Sequence, residues 1–240
     1  MNMSAAWASC SSASLWLEVP TGNDVHIWTV RHDERRPQDD ARRAAVLNDV
    51  ELARYSRLKD EDERQRRIRA RGALRLVLAS YIGTTPDRVE LRANPFGKPC
   101  ADVVEFSCSH SHSLTLIAVG RQAVGVDVES IDASRGIDAF QYRFVGGSDR
   151  AVLDASGPPT APIDSLLMWV VKEASLKAIG TGLTIDPREM QVVAESATRF
   201  RATRGHAVVR ASQFQLPGHV AVVAARVLGR IVVDGVAVAS

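Results

Sequence analysis

The chain has 240 residues, of which 45% are hydrophobic and 24% charged, and its formal net charge is +2. Such a chain can bury a core as one large domain or two half-sized ones, and nothing in it suggests disorder beyond the ends. No apolar stretch reaches the ~20 residues that a bilayer span needs, and the first residues lack the features of a secretory signal, so we expect a cytoplasmic protein without a membrane partner.

In the first half of the chain, apolar periodicity predicts helices between strands. The predicted elements are a strand at Val25–Val30, helices at Asp40–Leu58 and Glu61–Ile82, and strands at Val89–Arg92, Val104–Cys108 and Leu114–Val119. A junction is expected near Arg121–Ala123, which divides the chain into an N-terminal half, residues 1–122, and a C-terminal half, residues 123–240.

The second half repeats this layout. The predicted elements are a strand at Val124–Glu129, helical pieces within Ile137–Ala155, a long helix at Asp164–Ile179, and strands near Met190–Ala194, Ala207–Phe214, His219–Ala225 and Ile231–Val236. Prolines make the segment Ala155–Pro162 a loop, and Asp164 is available as the N-cap of the long helix. The pattern predicts an α+β fold in which each half packs helices on a mostly antiparallel sheet.

Two segments offer carboxylates that could meet. On a strand, Asp127 and Glu129 point to one face, while Val126 and Val128 point to the other. In the helix, Glu173 and Lys177 lie one turn apart on the same side. Oxygen ligands in this number suit Mg²⁺. Each segment also has a plain structural interpretation, as the polar face of a half-exposed sheet and as a surface ion pair worth only about 0.2–0.5 kcal/mol.

Four blocks in this order and spacing resemble the Sfp-type 4′-phosphopantetheinyl transferases. They are Asn94–Pro99, Phe106–Ser111, Gly125–Glu129, and Trp169–Lys177 with the following Gly180–Leu183. The resemblance covers about residues 24 to 225. Departures are minor: Ser107 and Cys108 stand where the family often has Asn followed by Leu or Ile, and His112 stands where it often has Gly.

The resemblance implies a pseudo-dimer of two similar α+β halves with the active site in the cleft between them. It also implies a monomeric enzyme that transfers the 4′-phosphopantetheine arm of coenzyme A to a serine of an acyl or peptidyl carrier protein and releases 3′,5′-ADP. Positioning and charge neutralisation catalyse such phosphoryl transfers. We therefore expect Mg²⁺ as cofactor, with Mn²⁺ as a substitute, and coenzyme A as co-substrate.

The same resemblance implies roles for individual residues. Asp127, Glu129 and Glu173 are expected to hold the metal ion, with Glu173 taking the serine proton directly or through a bound water. Lys177 is expected to meet the charge that grows on the phosphates, whereas Lys172 has a less certain role. The expected coenzyme A contacts are Arg71, Arg75, Lys98, Pro99, Ser109, His110 and Lys177, with Lys59 as a weaker candidate.

Three alternatives remain at this stage. The arginines at helical spacing, Arg64, Arg67, Arg71 and Arg75, form a basic stripe that could be a solvated helix face or a nucleic-acid surface. No recognised nucleic-acid motif accompanies them, so we expect an anionic ligand and no nucleic-acid partner. The chain could also be a non-catalytic relative that binds carrier proteins, although such a protein would have no reason to keep the full set of carboxylates and Lys177.

Other reactive side chains are expected to be inert. The sequence around His110 suggests a Ser-His hydrolase, but neighbouring residues on a strand face opposite ways and the chain has no Gly-x-Ser-x-Gly elbow. The three cysteines, Cys10, Cys100 and Cys108, lack the spacing of metal ligands. We therefore expect reduced thiols and no zinc site.

Overall fold

The computed structural model describes residues 17–33, 37–111, 113–131, 144, 162–234 and 236–238. The helices are α1 (Pro37–Ala45), α2 (Asp49–Ser56), α3 (Glu61–Ile82) and α4 (Pro162–Ile179). The first strands are β1 (Val25–Arg31), β2 (Arg92–Ala93), β3 (Pro99–Cys100), β4 (Glu105–Ser111), β5 (Leu114–Gly120) and β6 (Val124–Ser130). The later strands are β7 (Gln191–Ala194), β8 (Arg199–Arg204), β9 (Ala207–Leu216), β10 (His219–Ala225), β11 (Ile231–Val233) and β12 (Val236–Val238).

The first of two five-stranded sheets has the order β12-β11-β1-β5-β4. Its pairs are antiparallel except for β1 with β11. Helix α3 contributes Leu74, Val77 and Leu78 to an apolar cluster that also contains residues of β1, β4 and β5. Asp60 caps the start of α3 by accepting a hydrogen bond from Glu63 N, and the helix ends at a left-handed glycine. The long helix therefore covers one face of the first sheet.

The second sheet has the order β6-β10-β9-β8-β7 and is antiparallel throughout. Helix α4 covers one face and buries an apolar stripe, including Leu166, Val170 and Leu176, against the sheet. A third apolar cluster joins residues of β1 and β5 to residues of β6 and β10. The described chain is therefore a mixed α+β protein with mostly antiparallel sheets, as predicted.

Most predicted elements are present, but three differ. The predicted helix Asp40–Leu58 is two helices, because the Asn48 side chain accepts from Glu51 N and the Glu51 side chain accepts from Asn48 N. This capping box starts a new helix and breaks the old one. Strand β8 was missed, and β2 with β3 forms a short hairpin in place of the strand Val89–Arg92. The helical pieces predicted within Ile137–Ala155 lie outside the described residues, apart from Phe144.

The C-terminal strands do not join the second sheet. Strand β11 pairs with β1 in parallel, and the side chain of Asp234 accepts hydrogen bonds from the backbone and hydroxyl of Thr29, at 2.9 and 2.5 Å. Strands from the C-terminal end of the chain therefore complete the first sheet, whose other strands lie in the predicted N-terminal half, residues 1–122. Within the described part of the chain, none of the helices is long and apolar enough to cross a membrane.

Candidate active site

The two sheets meet where their edge strands, β4 and β6, lie side by side. Alternate residues of β4 point to the same side, so Ser107, Ser109 and Ser111 form a row, and each is only 5% exposed. Ser107 Oγ accepts a hydrogen bond from Val126 N at 3.1 Å, and Ser111 Oγ accepts one from Ser130 N at 2.8 Å. We call this row of serines and its contacts with β6 the serine seam.

Helix α4 approaches β6 very closely at Gly125. A Cβ atom at this position would lie 1.9 Å from the backbone oxygen of Ala174, so any larger residue would force the helix away. The contact explains the glycine that precedes Asp127 by two residues. It brings the next turn of α4, with Glu173 and Lys177, over the carboxylate of β6.

Asp127, on β6, is the centre of the resulting cluster. Its side chain is 1% exposed, and its Oδ1 accepts hydrogen bonds from Lys177 Nζ and from Ser109 Oγ, both at 2.6 Å. Lys177 Nζ also lies 3.5 Å from Glu173 Oε2 and 3.2 Å from Ser109 Oγ. Glu129, two residues along β6, accepts a hydrogen bond from Ser111 Oγ at 3.2 Å. Three carboxylates and one ammonium group thus line the seam.

Burial and the nearby charge of Asp127 raise the pKa values of Glu129 and Glu173. Burial, assisted by the charge of Asp127, raises the pKa of Glu129 to about 7. The same two causes raise the pKa of Glu173 well above its usual range, and Asp127 also holds the protonated form by a hydrogen bond. Burial lowers the pKa of Lys177, but the Asp127 and Glu173 carboxylates outweigh it and the net shift is upward. The cluster therefore has more carboxyl groups than Lys177 could neutralise if all of them were ionised.

The chemistry of this cluster fits a divalent cation. With Glu173 ionised, the buried Oδ2 of Asp127 has no hydrogen-bond partner among the described residues. A proton on Glu173, a buried water molecule or a cation could meet this oxygen. Among the described residues, however, no three His, Cys, Asp or Glu side chains are arranged to hold a metal ion. The three-ligand site stays a prediction that requires side-chain rearrangement.

The turn at Asn94–Lys98 links the first half to the end of α4. The Asn94 side chain donates to Gly180 O at 2.7 Å and accepts from the backbone N–H groups of Phe96 and Lys98. Lys98 Nζ donates to Val124 O at 3.0 Å, and burial lowers the pKa of Lys98. Lys98 and Pro99 thus lie beside the start of β6, and Lys98 braces the two halves in addition to its predicted contact with coenzyme A.

The structure separates the two arginines that were expected to contact the ribose 3′-phosphate. Arg75 is 3% exposed, its Nε donates to Glu51 Oε2 at 2.8 Å, and its guanidinium also donates to the carbonyls of Pro86, Asp87 and Val89. A guanidinium buried and occupied in this way serves the fold, so the expectation for Arg75 is not supported. Arg71 shares Glu51, at 2.5 Å, but its side chain is 22% exposed and can still reach a ligand.

The rest of the basic stripe is partly neutralised. Arg64 pairs with Glu61, and Arg67 Nε lies 2.7 Å from Glu63 Oε1. His110 lies on the side of β4 opposite the serine row, and desolvation of its ring, followed by the charge of Arg67, lowers its pKa. Arg67 and Lys177 are both close enough to affect His110, whereas the hydroxyl of Ser109 is already used by Asp127.

The structural roles of three residues were not recognised from the sequence. Lys172, left uncertain above, is 1% exposed and donates to Phe144 O at 3.1 Å and to Pro187 O at 3.0 Å, so it braces α4 from the inside. Trp169 packs its ring on that of Phe144, with centroids 5.0 Å apart. Asn94 has the clearest missed signal, since an asparagine before Pro-x-Gly is typical of a side chain that caps a turn.

Comparisons with known proteins give matches that include strand β6 and helix α4. A family model described as the 4′-phosphopantetheinyl transferase superfamily matches residues 123–225. The 4′-phosphopantetheinyl transferase HetI of Nostoc sp. is 30% identical over 181 residues, which cover 70% of this chain and 76% of that protein. A phosphopantetheinyl transferase of Thraustochytrium sp. is 29% identical over 66% of this chain and 62% of its own length. The enzyme gsp of Aneurinibacillus migulanus is 27% identical over 71% and 67%.

Proposed function

This chain belongs to the 4′-phosphopantetheinyl transferase superfamily, and we propose that it transfers the 4′-phosphopantetheine arm of coenzyme A to a serine of an acyl or peptidyl carrier protein. The observation that best supports this proposal is the meeting of Asp127, Glu173 and Lys177 at the serine seam. An excess of buried carboxyl groups beside one ammonium group suits a site in which a cation neutralises a reacting pyrophosphate.

In the proposed reaction, the hydroxyl oxygen of the carrier serine forms a bond to the β-phosphorus of coenzyme A. The bond between that phosphorus and the bridging oxygen of the pyrophosphate breaks, and 3′,5′-ADP leaves with the electron pair. The serine proton must go to a base. Glu173 suits this role because burial and the nearby Asp127 charge raise its pKa, which makes its ionised form a better proton acceptor.

We propose that Asp127, Glu129 and Glu173 hold Mg²⁺, for which Mn²⁺ can substitute. When bound, the ion supplies the positive charge that neutralises the pyrophosphate. The unsatisfied Oδ2 of Asp127 among the described residues supports this assignment, as does the raised pKa of Glu129. Ser109 orients Asp127 by donating its proton to Oδ1, which leaves Oδ2 for the ligand.

Lys177 forms an ion pair with the carboxylates of the site and is in position to contact the phosphates during the reaction. Its ammonium bonds to Asp127 Oδ1 before coenzyme A binds, and its net pKa shift is upward, so it is fully charged at neutral pH. We propose that it turns from the carboxylates to the leaving phosphate as negative charge grows there. Arg71, Lys98, Pro99 and His110 are the proposed contacts for the rest of coenzyme A.

The proposed architecture is a pseudo-dimer with the site in the cleft between its halves. This proposal is supported by the origin of the site, since β4 belongs to the first sheet while β6 and α4 belong to the second half. We also propose that the enzyme acts as a monomer in the cytoplasm.

Mass spectrometry tests the proposed function directly. An apo carrier protein incubated with this protein, coenzyme A and Mg²⁺ should gain the mass of one phosphopantetheine arm on its serine, and 3′,5′-ADP should appear in equal amount. The matched control is Glu173→Gln, which keeps the shape of the side chain but removes its charge. A carrier that binds and is never modified would identify a non-catalytic relative, and tight salt-sensitive binding of nucleic acid would support the basic-stripe alternative.

A further inference from the structure

We propose that Ser111 is a positioning residue for Glu129 and that its hydroxyl sets how well the site binds a divalent cation. This inference rests on the proposed function, because it assumes that Glu129 is a metal ligand. No role for Ser111 was expected from the sequence. The inference is based on the hydrogen bonds of the serine seam, in which three similar serines have different partners.

Ser111 has its hydroxyl proton committed to Glu129. It is 5% exposed on edge strand β4, and its Oγ accepts a hydrogen bond from Ser130 N at 2.8 Å. A hydroxyl has one proton, and the contact with Glu129 Oε2 at 3.2 Å involves an oxygen that can only accept when ionised. The backbone amide therefore fixes the serine as acceptor on one side and turns its O–H toward the carboxylate on the other.

This geometry restrains a flexible ligand. A glutamate side chain has three rotatable bonds, and ordering it costs conformational entropy unless a neighbour holds it. Ser111 binds one oxygen, Oε2, and so leaves Oε1 of Glu129 outside this hydrogen bond, and Asp127 is close enough to raise the pKa of Glu129. Partners that orient metal ligands in this way commonly change metal affinity about 10–100-fold when they are removed.

Ser107 provides a matched comparison within the same seam. It lies on the same strand and the same side, it is also 5% exposed, and its Oγ also accepts from a backbone amide of β6, Val126 N at 3.1 Å. The difference is the second partner, which for Ser111 is a carboxylate. Replacing either serine with alanine therefore removes the acceptor of one amide, but only one replacement releases Glu129.

The experiment measures Mn²⁺ binding to the full chain by electron paramagnetic resonance of the free ion, without carrier protein or coenzyme A. Ser111→Ala should weaken Mn²⁺ binding roughly 10-fold or more, whereas Ser107→Ala should leave it at the wild-type value. Both variants should lose similar thermal stability, since each leaves one amide at the seam without its acceptor. A loss of affinity without a matching difference in stability is a result that a purely structural serine would not produce.

Equal Mn²⁺ affinity in the two variants would overturn the inference. If Ser111→Ala does not fold, Ser111→Cys and Ser107→Cys provide the same comparison, because a thiol fills the space but is a weak donor. Wild-type protein that binds no Mn²⁺ would overturn the proposed metal site and this inference together. Wild-type protein that binds Mn²⁺ and modifies carriers, with Ser111→Cys and Ser107→Cys indistinguishable from it, would overturn the inference alone.

Discussion

The two halves of the molecule both bury ionisable side chains, but the charges differ in sign and in how they are neutralised. Around the first sheet, Arg69 and Arg75 are buried with carboxylates from neighbouring helices, Asp40 at 3.0 Å and Glu51 at 2.8 Å. At the edge of the second sheet, Asp127, Glu129 and Glu173 lie together, and Lys177 is the cation that contacts Asp127 and Glu173. Each buried guanidinium around the first sheet contacts a carboxylate, whereas at the edge of the second sheet one ammonium group lies among three carboxyl groups.

This difference distinguishes buried charged groups that stabilise the fold from buried charged groups that are available to a ligand. A buried ion pair whose donors and acceptors are all used has nothing left for a ligand, and removing one partner mainly destabilises the fold. A buried cluster with surplus charge has shifted pKa values and an unmet need for a counter-ion, which is typical of active sites. The contrast supports a structural role for Arg75 and the proposed functional role for Asp127, although both side chains are at most 3% exposed.

The largest expected effect tests the surplus carboxylates. Asp127→Asn and Glu173→Gln should each lower carrier modification at least about a thousandfold, because the site loses charge that holds the cation. Chelation should abolish transfer by the wild type, and Mg²⁺ or Mn²⁺ should restore it. The control is Glu189→Gln, which removes a surface ion pair with Arg204 and should leave turnover unchanged. Normal turnover in Glu173→Gln would contradict the proposed site.

The next effect concerns the one cation of the cluster. Lys177→Ala should lower the rate roughly 10²–10³-fold but weaken coenzyme A binding much less, since the charge that it meets develops mainly in the transition state. Lys177→Arg should recover little, because a forked guanidinium does not replace a point charge. Rapid-quench kinetics and equilibrium coenzyme A binding separate the two quantities. An unchanged rate with weaker binding would reassign Lys177 to ground-state binding.

A pair of glycines compares the two halves by packing. A Cβ at Gly72 would lie 2.1 Å from Arg43 O, and a Cβ at Gly125 would lie 1.9 Å from Ala174 O. Each alanine substitution should lower the free energy of unfolding by about 1–3 kcal/mol, because a helix must move away. Only Gly125→Ala should also lower turnover of the folded fraction, since α4 carries the site.

Denaturant unfolding and activity normalised to folded protein measure these two effects. Gly120→Ala is the control, because its nearest neighbour would lie 3.5 Å away, an ordinary contact. If Gly72→Ala reduced normalised turnover as much as Gly125→Ala, the proposed link between turnover and the packing of α4 on β6 would be wrong.

The pKa values of buried His32 and Glu129 are shifted in opposite directions, so we expect opposite effects of pH on their contributions to stability. Burial, followed by the charge of Arg69, lowers the pKa of His32 to about 4, so its contribution to stability is complete above about pH 6.5 and is lost as the pH falls toward 4. The raised pKa of Glu129 acts in reverse: its contribution is complete below about pH 4.5 and is lost as the pH rises through 7.

Thermal unfolding of metal-free protein should therefore respond differently in two variants. Relative to wild type, His32→Gln should lose less stability between pH 6.5 and 4, by roughly 2–3 kcal/mol at most. Glu129→Gln should lose less stability as the pH rises from 4.5 to 7. Parallel stability curves for wild type and both variants would show that neither buried group has the shifted pKa given above.

Local patterns predicted the segments that carry the proposed site and the long helix of the first half. The alternation Val126, Asp127, Val128 places strand β6 and its polar face, and the helical spacing of Glu173 and Lys177 places them together. Helix α3 has the predicted bounds, and Asp60 and Gly83 cap its two ends. These are properties of neighbours in sequence.

Long-range contacts explain what the sequence did not show. Arg71 and Arg75 have the same helical spacing and differ only in what the loop at Pro86–Val89 covers, which no local pattern reveals. Strands β11 and β12 read as a continuation of the second half, yet Asp234 and Thr29, over two hundred residues apart, hold them to the first sheet. The missed strand β8 has Arg199 and Arg201 on one face, which weakened its apolar signal.

The smallest expected effects test which basic side chains contact coenzyme A and which contact the carrier protein. Arg71→Ala and Lys98→Ala should each reduce the preference for coenzyme A over dephospho-coenzyme A, and the double variant should lose little more, because both losses concern the same 3′-phosphate. Arg64→Ala and Arg67→Ala should slow association with an acidic carrier protein only a few-fold, since Glu61 and Glu63 already neutralise much of their charge.

Stopped-flow association at several salt concentrations, measured beside cofactor competition, distinguishes these roles. Arg67 is the better probe of the partner, because its side chain is 49% exposed against 31% for Arg64, and its variant should show the flatter salt dependence. Coenzyme A affinity should stay unchanged in both. If Arg64→Ala, Arg71→Ala and Lys98→Ala all behaved alike, the stripe would act as one general anion surface. The ion-paired arginines of the first half would then bind anionic ligands as well.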